Sequence, residues 1–245
     1  MNVTPPCGSP LLSFLLPAPC VACGQLSEGG PLGLCSACRS LLQAPGEGCH
    51  QCGRELAGPL LTAYRCGRCR AEPPAFSALV AAWRYQPPMD SVIAALKYRR
   101  LEYLGRHLAH DLLARLAPAA PYDFVVAVPL HFWRRWNRGF NQAERIAEEV
   151  AAGLRLDLAS ALSRCRATPS QTRLTRAQRR ANLAAAFRVR RGQGARLVGR
   201  HVLLIDDVAT TGATLNAAAR ALCMAGVGRV TAAVAALTPE PGDRV

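Results

Sequence analysis

Short apolar runs separated by polar turns set the rhythm of the chain beyond residue 75. Leu79–Tyr85, Phe124–Val128, Val202–Ile205 and Arg229–Leu237 read as strands, and Phe187-Arg188-Val189 as a short one. Val202–Ile205 is apolar on both parities, as a strand covered on both faces of a parallel sheet must be. Between the strands the spacing changes. Val92, Ile93 and Leu96 form a helical stripe within Met89–Tyr98, and further helices are expected over Leu101–Leu116, from Gln142 to about Leu154, and over the Ala-rich Leu215–Ala225. Strands alternating with helices predict an α/β class, a parallel sheet flanked by helices. Leu11–Leu16 is apolar but short. With no Lys or Arg upstream it reads as a helix or turn docking on the body, not as an export signal.

The first third follows neither period. Its marks are four C-x-x-C pairs: Cys20/Cys23, Cys35/Cys38, Cys49/Cys52 and Cys66/Cys69. That spacing lets two thiolates of one tight turn reach the same ion, and four pairs so close together are a zinc signal. Sequential pairing gives one site from Cys20, Cys23, Cys35 and Cys38 and another from Cys49, Cys52, Cys66 and Cys69. Interleaved pairing satisfies the same spacing. With four cysteines each the sites have no open position, so they are read as structural, and metal would supply the folding energy of a segment without its own core. Gly24, Gly53 and Gly67 are expected at positive φ in the knuckle turns. His50 is read as a bystander, and Cys165 and Cys223 as inert buried thiols. Ala71–Pro74 reads as a linker.

The stretch Val202-Leu203-Leu204-Ile205-Asp206-Asp207-Val208-Ala209-Thr210-Thr211-Gly212-Ala213-Thr214 holds the densest chemistry. Two aspartates sit at the C-terminal end of a strand, where open α/β sheets bind ligands. A Thr- and Gly-rich turn then leads into a helix, whose first N–H groups and dipole favour anions. Gly212 permits close approach of backbone to an anion, and the threonines add hydroxyl donors. A phosphorylated ribose satisfies both halves: phosphate at the turn, sugar hydroxyls on the carboxylates. A magnesium-binding strand of a P-loop ATPase also ends in two acids. That reading requires G-x-x-x-x-G-K-[ST], which the chain lacks. A phosphatase with an aspartate nucleophile draws no support from the Thr-Thr-Gly turn. The stretch as a whole resembles the signature of type I phosphoribosyltransferases. In that family the loop, here Ala209, Thr210, Thr211, Gly212, Ala213 and Thr214, holds the 5-phosphate of phosphoribosyl pyrophosphate (PRPP), and the acids hold the ribose hydroxyls.

Charge adds a second theme. The formal net charge is +14. Between His131 and Arg200 sixteen arginines stand against four acids, a local surplus of +12. Such a field favours pyrophosphate, phosphorylated sugars or nucleic acid. Lys97 is the single lysine among thirty basic residues, a compact charge with a tunable pKa in a chain that otherwise uses arginine. Arg134 to Gln142, after the strand that ends at Val128, has the makings of a second anion site. Phe132, Trp133, Trp136 and Phe140 there suit base stacking or core packing. The polar stretch from Arg164 to Asn182 reads as a loop able to close over an anionic ligand.

Taken in order, the Cys pairs, Leu96-Lys97-Tyr98, Val128-Pro129-Leu130, Arg138-Gly139-Phe140-Asn141-Gln142, Thr168-Pro169-Ser170-Gln171-Thr172, Arg179–Leu183 and the Asp-Asp motif resemble the ComF family of competence-associated phosphoribosyltransferase-like proteins. The resemblance implies a double zinc ribbon over residues 1–72, with its short N-terminal helix, and a type I phosphoribosyltransferase-like domain over 76–245. Asp206, Asp207, Lys97 and Arg138 are the catalytic candidates: the resemblance puts Asp206 and Asp207 on the ribose and Arg138 near the pyrophosphate, and Lys97 stands on being the one lysine. Val128, Pro129 and Leu130 would lie near the pyrophosphate, and Gln171, Arg176, Arg180 and Asn182 would belong to a covering loop. Structural zinc and PRPP-bound magnesium are the implied cofactors. PRPP, single-stranded DNA and a DNA-uptake or DNA-processing protein are the implied partners, in the cytoplasm, with no transmembrane segment. Two classes stay open: a PRPP-dependent transferase, and a competence factor that uses the same fold only to bind.

Overall fold

The computed structural model describes residues 18–27, 29–56, 64–116, 121–130, 139–164 and 186–239. Its N-terminal part holds β1 (Ala18–Pro19), β2 (Leu26–Ser27), and two single-turn helices, α1 (Ser36–Ser40) and α2 (Gly67–Ala71). Then come β3 (Ala78–Arg84), α3 (Met89–Tyr98), α4 (Leu104–Arg115), β4 (Phe124–Ala127), α5 (Gln142–Leu154), β5 (Asp157–Leu158) and β6 (Leu162–Arg164). β7 (Phe187–Val189), β8 (His201–Ala209), α6 (Ala213–Met224) and β9 (Arg229–Leu237) complete it.

The main sheet has the order β3–β9–β8–β4–β5, and every pair in it is parallel. The expected α/β class, with helices on both faces and a Cys-rich N-terminal region, is therefore observed. Successive side chains of a strand point to opposite faces. Leu203 and Ile205 of β8 join the layer of Met89, Ile93, Leu96, Leu104, Leu108, Leu112, Ile146 and Val150 from α3, α4 and α5. Val202 and Leu204 join Leu215, Ala218, Ala219 and Leu222 of α6 on the other face. These four β8 side chains are fully buried, each contributing about 1.5–3 kcal/mol on transfer from water. The buried alanines of α6 let that helix lie close to the sheet. Helices α5 and α6 leave β4 and β8 on opposite faces, so a topological switch point lies between those strands, where α/β sheets bind ligands.

Several local expectations change. β8 outruns its four apolar residues and continues through both aspartates, because β9 pairs with it as far as Ala209–Leu237. The second long helix starts at Leu104, not Leu101. Arg164 lies in β6, which pairs antiparallel with β7, and not in a loop. Ala71 ends α2, and the segment after it is no free linker: Gln51 Nε2 donates to the carbonyls of Pro74 and Phe76. Cys223 is exposed, not buried, because it lies on the outer side of the last turn of α6; its thiol donates to the Ala75 carbonyl at 3.7 Å. Phe140 is buried in the core. Leu11–Leu16, Phe132, Trp133, Trp136 and Cys165 lie outside the described residues.

Candidate functional site

The strand register decides where each acid points. Asp207 follows the parity of Leu203 and Ile205, toward the α3 layer, and there Lys97 from the last turn of α3 meets it. Lys97 Nζ lies 2.8 Å from Asp207 Oδ2, with both side chains mostly buried. Asp206 lies beside this pair, within reach of the charges of both Asp207 and Lys97. Its Oδ1 accepts the Asp207 backbone N–H at 2.9 Å, and Asp207 Oδ1 accepts that of Val208 at 2.7 Å. Burial first, and then the charge of Asp207, push the Asp206 carboxyl well above the ordinary range. Ionising both adjacent carboxylates beside one lysine leaves excess negative charge, which a cation or hydroxyl donors would relieve.

The turn after β8 opens α6. Gly212, at φ +70°, is the residue preceding the helix, a left-handed position that costs other residues strain. Thr210 and Thr211 are exposed, and Thr211 Oγ1 accepts the Ala213 N–H at 3.4 Å. The first turn of α6 leaves N–H groups directed outward, beside hydroxyls, and this arrangement suits a phosphate. Along the neighbouring strand Val128 donates its N–H to Ile205, and Asn141 Nδ2 donates to the Val128 carbonyl at 3.1 Å. Asn141 Oδ1 is buried and has no hydrogen-bond partner. It borders a cleft of about 30 Å³, shared with Pro129, Ser160 and Arg190.

Of the sequence-selected residues, the structure brings Asp206, Asp207, Lys97 and the Ala209–Thr214 turn to one end of the sheet, with Val128, Pro129 and Leu130 at the end of β4 alongside. Arg138, Gln171, Arg176, Arg180 and Asn182 lie outside the described residues. Two neighbours of the turn escaped sequence reasoning. Arg68 Nη2, from α2, donates to the Thr211 carbonyl at 3.4 Å. The Phe76 ring lies against Gly212, 3.8 Å from where a side chain there would begin. One arginine among twenty-nine gives no signal, and neither does a lone phenylalanine just before the first strand.

The cysteines fall into the sequential groups. Cys20, Cys23, Cys35 and Cys38 have their sulfurs within 4.8 Å of one another, and so do Cys49, Cys52, Cys66 and Cys69. Tetrahedral zinc at about 2.3 Å from each sulfur requires sulfurs about 3.8 Å apart. The Cys23–Cys35 and Cys52–Cys66 pairs stand at 3.8 and 3.7 Å. None of these cysteines is in a disulfide. Backbone N–H groups of Cys35 and Cys66 point at the sulfurs of Cys20 and Cys49. Burial opposes ionisation of Cys20, yet the N–H groups of Cys23, Cys35 and Ala22 bring its thiol down to about 6. Hydrogen bonds that the Cys38 thiol donates to the sulfurs of Cys35 and Cys23, together with burial, hold it up at about 12. A divalent cation would keep all four sulfurs as thiolates, so both groups fit structural zinc. Gly24 and Gly53 have positive φ as expected. Gly67 does not: it is the first residue of α2, capped by Cys66. The second pair of each group thus opens a helical turn and needs no left-handed glycine.

A double zinc ribbon domain model matches residues 11–70. A phosphoribosyl transferase domain model matches residues 137–245. The chain is similar to the DNA utilization protein YhgH of Escherichia coli strain K12, 33% identical over 149 residues, covering 58% of this chain and 64% of that protein. It is similar to competence protein F of Haemophilus influenzae, 35% identical over 106 residues, 43% of this chain and 46% of that one. It is also similar to competence protein ComFC of Streptococcus pneumoniae, 37% identical over 124 residues, 50% and 51% of the two chains. The chain spans less than two thirds of the length of these relatives. Among the described residues no helix is long and apolar enough to cross a membrane.

Proposed function

We propose, from the double zinc ribbon and phosphoribosyl transferase domain matches and the similarity to DNA utilization and competence proteins, that the chain is a ComF-type, PRPP-binding protein of DNA uptake or utilisation. It transfers the phosphoribosyl group to a nitrogen nucleophile with release of pyrophosphate. One observation supports this most: two acids, the single lysine of the chain and a Thr-Thr-Gly turn converge at one strand end.

In this reading the N–H groups of the α6 first turn and the hydroxyls of Thr210, Thr211 and Thr214 bind the 5-phosphate. Asp206 and Asp207 accept hydrogen bonds from the ribose hydroxyls and orient the ring. Lys97 fixes Asp207 and offsets its charge while positive charge develops on the sugar. Val128, Pro129, Leu130 and Arg138 flank the departing pyrophosphate, and Gln171, Arg176, Arg180 and Asn182 cover the ligand and exclude water. Hard carboxylate oxygens suit magnesium, which when bound neutralises pyrophosphate oxygens. A second reading, a non-catalytic factor that binds single-stranded DNA or a partner, draws on the +12 arginine surplus of residues 131–200.

The test is calorimetric titration of magnesium-PRPP into zinc-loaded protein. Saturable binding is expected, lost in Asp206→Asn/Asp207→Asn and weakened in Thr211→Ala. Binding without pyrophosphate release on any acceptor would favour the second reading. No binding by folded protein would overturn the first.

A further inference from the structure

The second cysteine group lies beside the phosphate turn. Its last two ligands, Cys66 and Cys69, bracket Gly67 and Arg68 in a single helical turn, closed by Arg70 N–H on the Cys66 carbonyl at 3.0 Å. From that turn Arg68 reaches the Thr211 carbonyl. Its first two ligands bracket Gln51, whose side chain is buried and donates to the carbonyls of Pro74 and Phe76. Phe76 in turn underlies Gly212, and the Ala75 N–H donates to Asn216 Oδ1 in the first turn of α6 at 2.8 Å. Three contacts therefore run from this ribbon and its exit to the turn and the start of α6. A five-residue helix does not persist by itself. The apolar cluster around it consists of Cys49, Cys66 and Cys69, with Cys52, Leu56 and Tyr64 at its edge. Metal on the four sulfurs would hold this turn, and with it Arg68, in place.

We infer that the second four-cysteine site is a metal-dependent brace of the phosphate turn, with Arg68 its positioning residue, so that metal occupancy there sets affinity for a 5-phosphorylated sugar. The inference rests on the proposed PRPP reading for its ligand but not for its geometry. The guanidinium brings a positive charge and a fixed donor fork to the edge of the turn. Its hydrogen bond to a loop carbonyl favours the conformation in which the neighbouring N–H groups face the phosphate.

The experiment uses full-length, zinc-loaded protein and compares wild type, Arg68→Ala and Arg68→Lys. Arg68 is exposed, so its replacement leaves the fold and the zinc content intact. Affinities are measured for magnesium-PRPP, ribose 5-phosphate and inorganic pyrophosphate, and amide hydrogen exchange is followed over residues 210–213 without ligand. Arg68→Ala is expected to weaken PRPP and ribose 5-phosphate by about tenfold, to leave pyrophosphate unchanged, and to speed exchange in the turn. Arg68→Lys should restore part of the affinity. Equal PRPP affinity in wild type and Arg68→Ala, with binding still lost in Asp206→Asn/Asp207→Asn, overturns the brace and leaves the PRPP reading standing. If wild type binds no PRPP, that reading falls and exchange decides the brace: faster exchange in Arg68→Ala supports it, and unchanged exchange overturns it.

Discussion

The two four-cysteine sites share a ligand set and a sulfur geometry but sit in different surroundings. The first is embedded in the protein. Cys20, Val21, Leu32 and Leu34 belong to the apolar layer of α3, α4 and α5, and a side chain at Gly33 would meet the Tyr103 hydroxyl at 3.1 Å and Leu104 at 3.6 Å. The second has little apolar cluster of its own and lies along the edge strand β3. Gly53 packs on Leu79 and Leu237, and Glu55 pairs with Arg84. Zinc in the first site completes a core, whereas in the second it orders a short segment beside a ligand turn. On the brace inference, the same metal chemistry serves stability in one place and ligand binding in the other.

Breaking the first site should have the largest effect. Cys20→Ser/Cys23→Ser is expected to release Val21, Leu32 and Leu34 from the core. Losing even one buried leucine costs about 2–5 kcal/mol, so the main thermal transition should fall by more than about 10 °C. Calorimetry checks this, and a transition within about 2 °C of wild type would refute the embedding argument.

Cys49→Ser/Cys52→Ser should act in the opposite sense. The main transition is expected to move by only a few degrees, because the two layers flanking the sheet stay packed. PRPP affinity should fall at least about tenfold, the scale of a lost charge-assisted hydrogen bond. Titration and melting of the same sample separate the two outcomes. A large loss of melting temperature with intact affinity would reverse the assignment of roles.

Arg84→Ala sharpens the comparison at a smaller scale. Glu55 is largely buried and pairs with Arg84, which also donates to Gln43 Oε1 at 2.9 Å. Leaving that carboxylate without its partner should cost about 1–3 kcal/mol. The loss should appear as faster hydrogen exchange across residues 47–56, with residues 20–38 unaffected.

Much of this was legible in the sequence, and the failures have physical causes. Met89–Tyr98 and Arg229–Leu237 were readable to the residue because their patterns are regular and bounded by turns. β5 and β6, of two and three residues, are too short to show a period. Lys97 stood out because it is the one lysine, and its ion pair with Asp207 gives that singularity a place. Arg68 could not stand out, since arginine is the common basic residue here and the contact with Thr211 spans 143 positions. Gly67 was misread because a knuckle turn and a helical turn share the same C-x-x-C spacing.

The pH dependence of binding separates the brace from the charge it supports. Burial and Asp207 raise the Asp206 carboxyl in the ligand-free fold. A raised carboxyl means that the folded state takes up this proton more readily than the unfolded chain. Its ionisation therefore costs stability as pH climbs from the ordinary aspartate range, about 3.9, through the folded value, and Asp206→Asn should remove that slope. In the PRPP reading, ligand binding needs the ionised form to accept ribose hydroxyls. PRPP affinity should accordingly fall as pH drops through the folded Asp206 value, approaching about tenfold per pH unit below it. Asp206→Asn should flatten the profile. Arg68→Ala, acting through the turn and not through a proton, should lower the whole profile without changing its shape. Parallel profiles for wild type and Arg68→Ala, from mildly alkaline to mildly acidic pH, would assign the brace and the acid to independent steps of recognition. A changed slope in Arg68→Ala would show that the second ribbon also tunes Asp206.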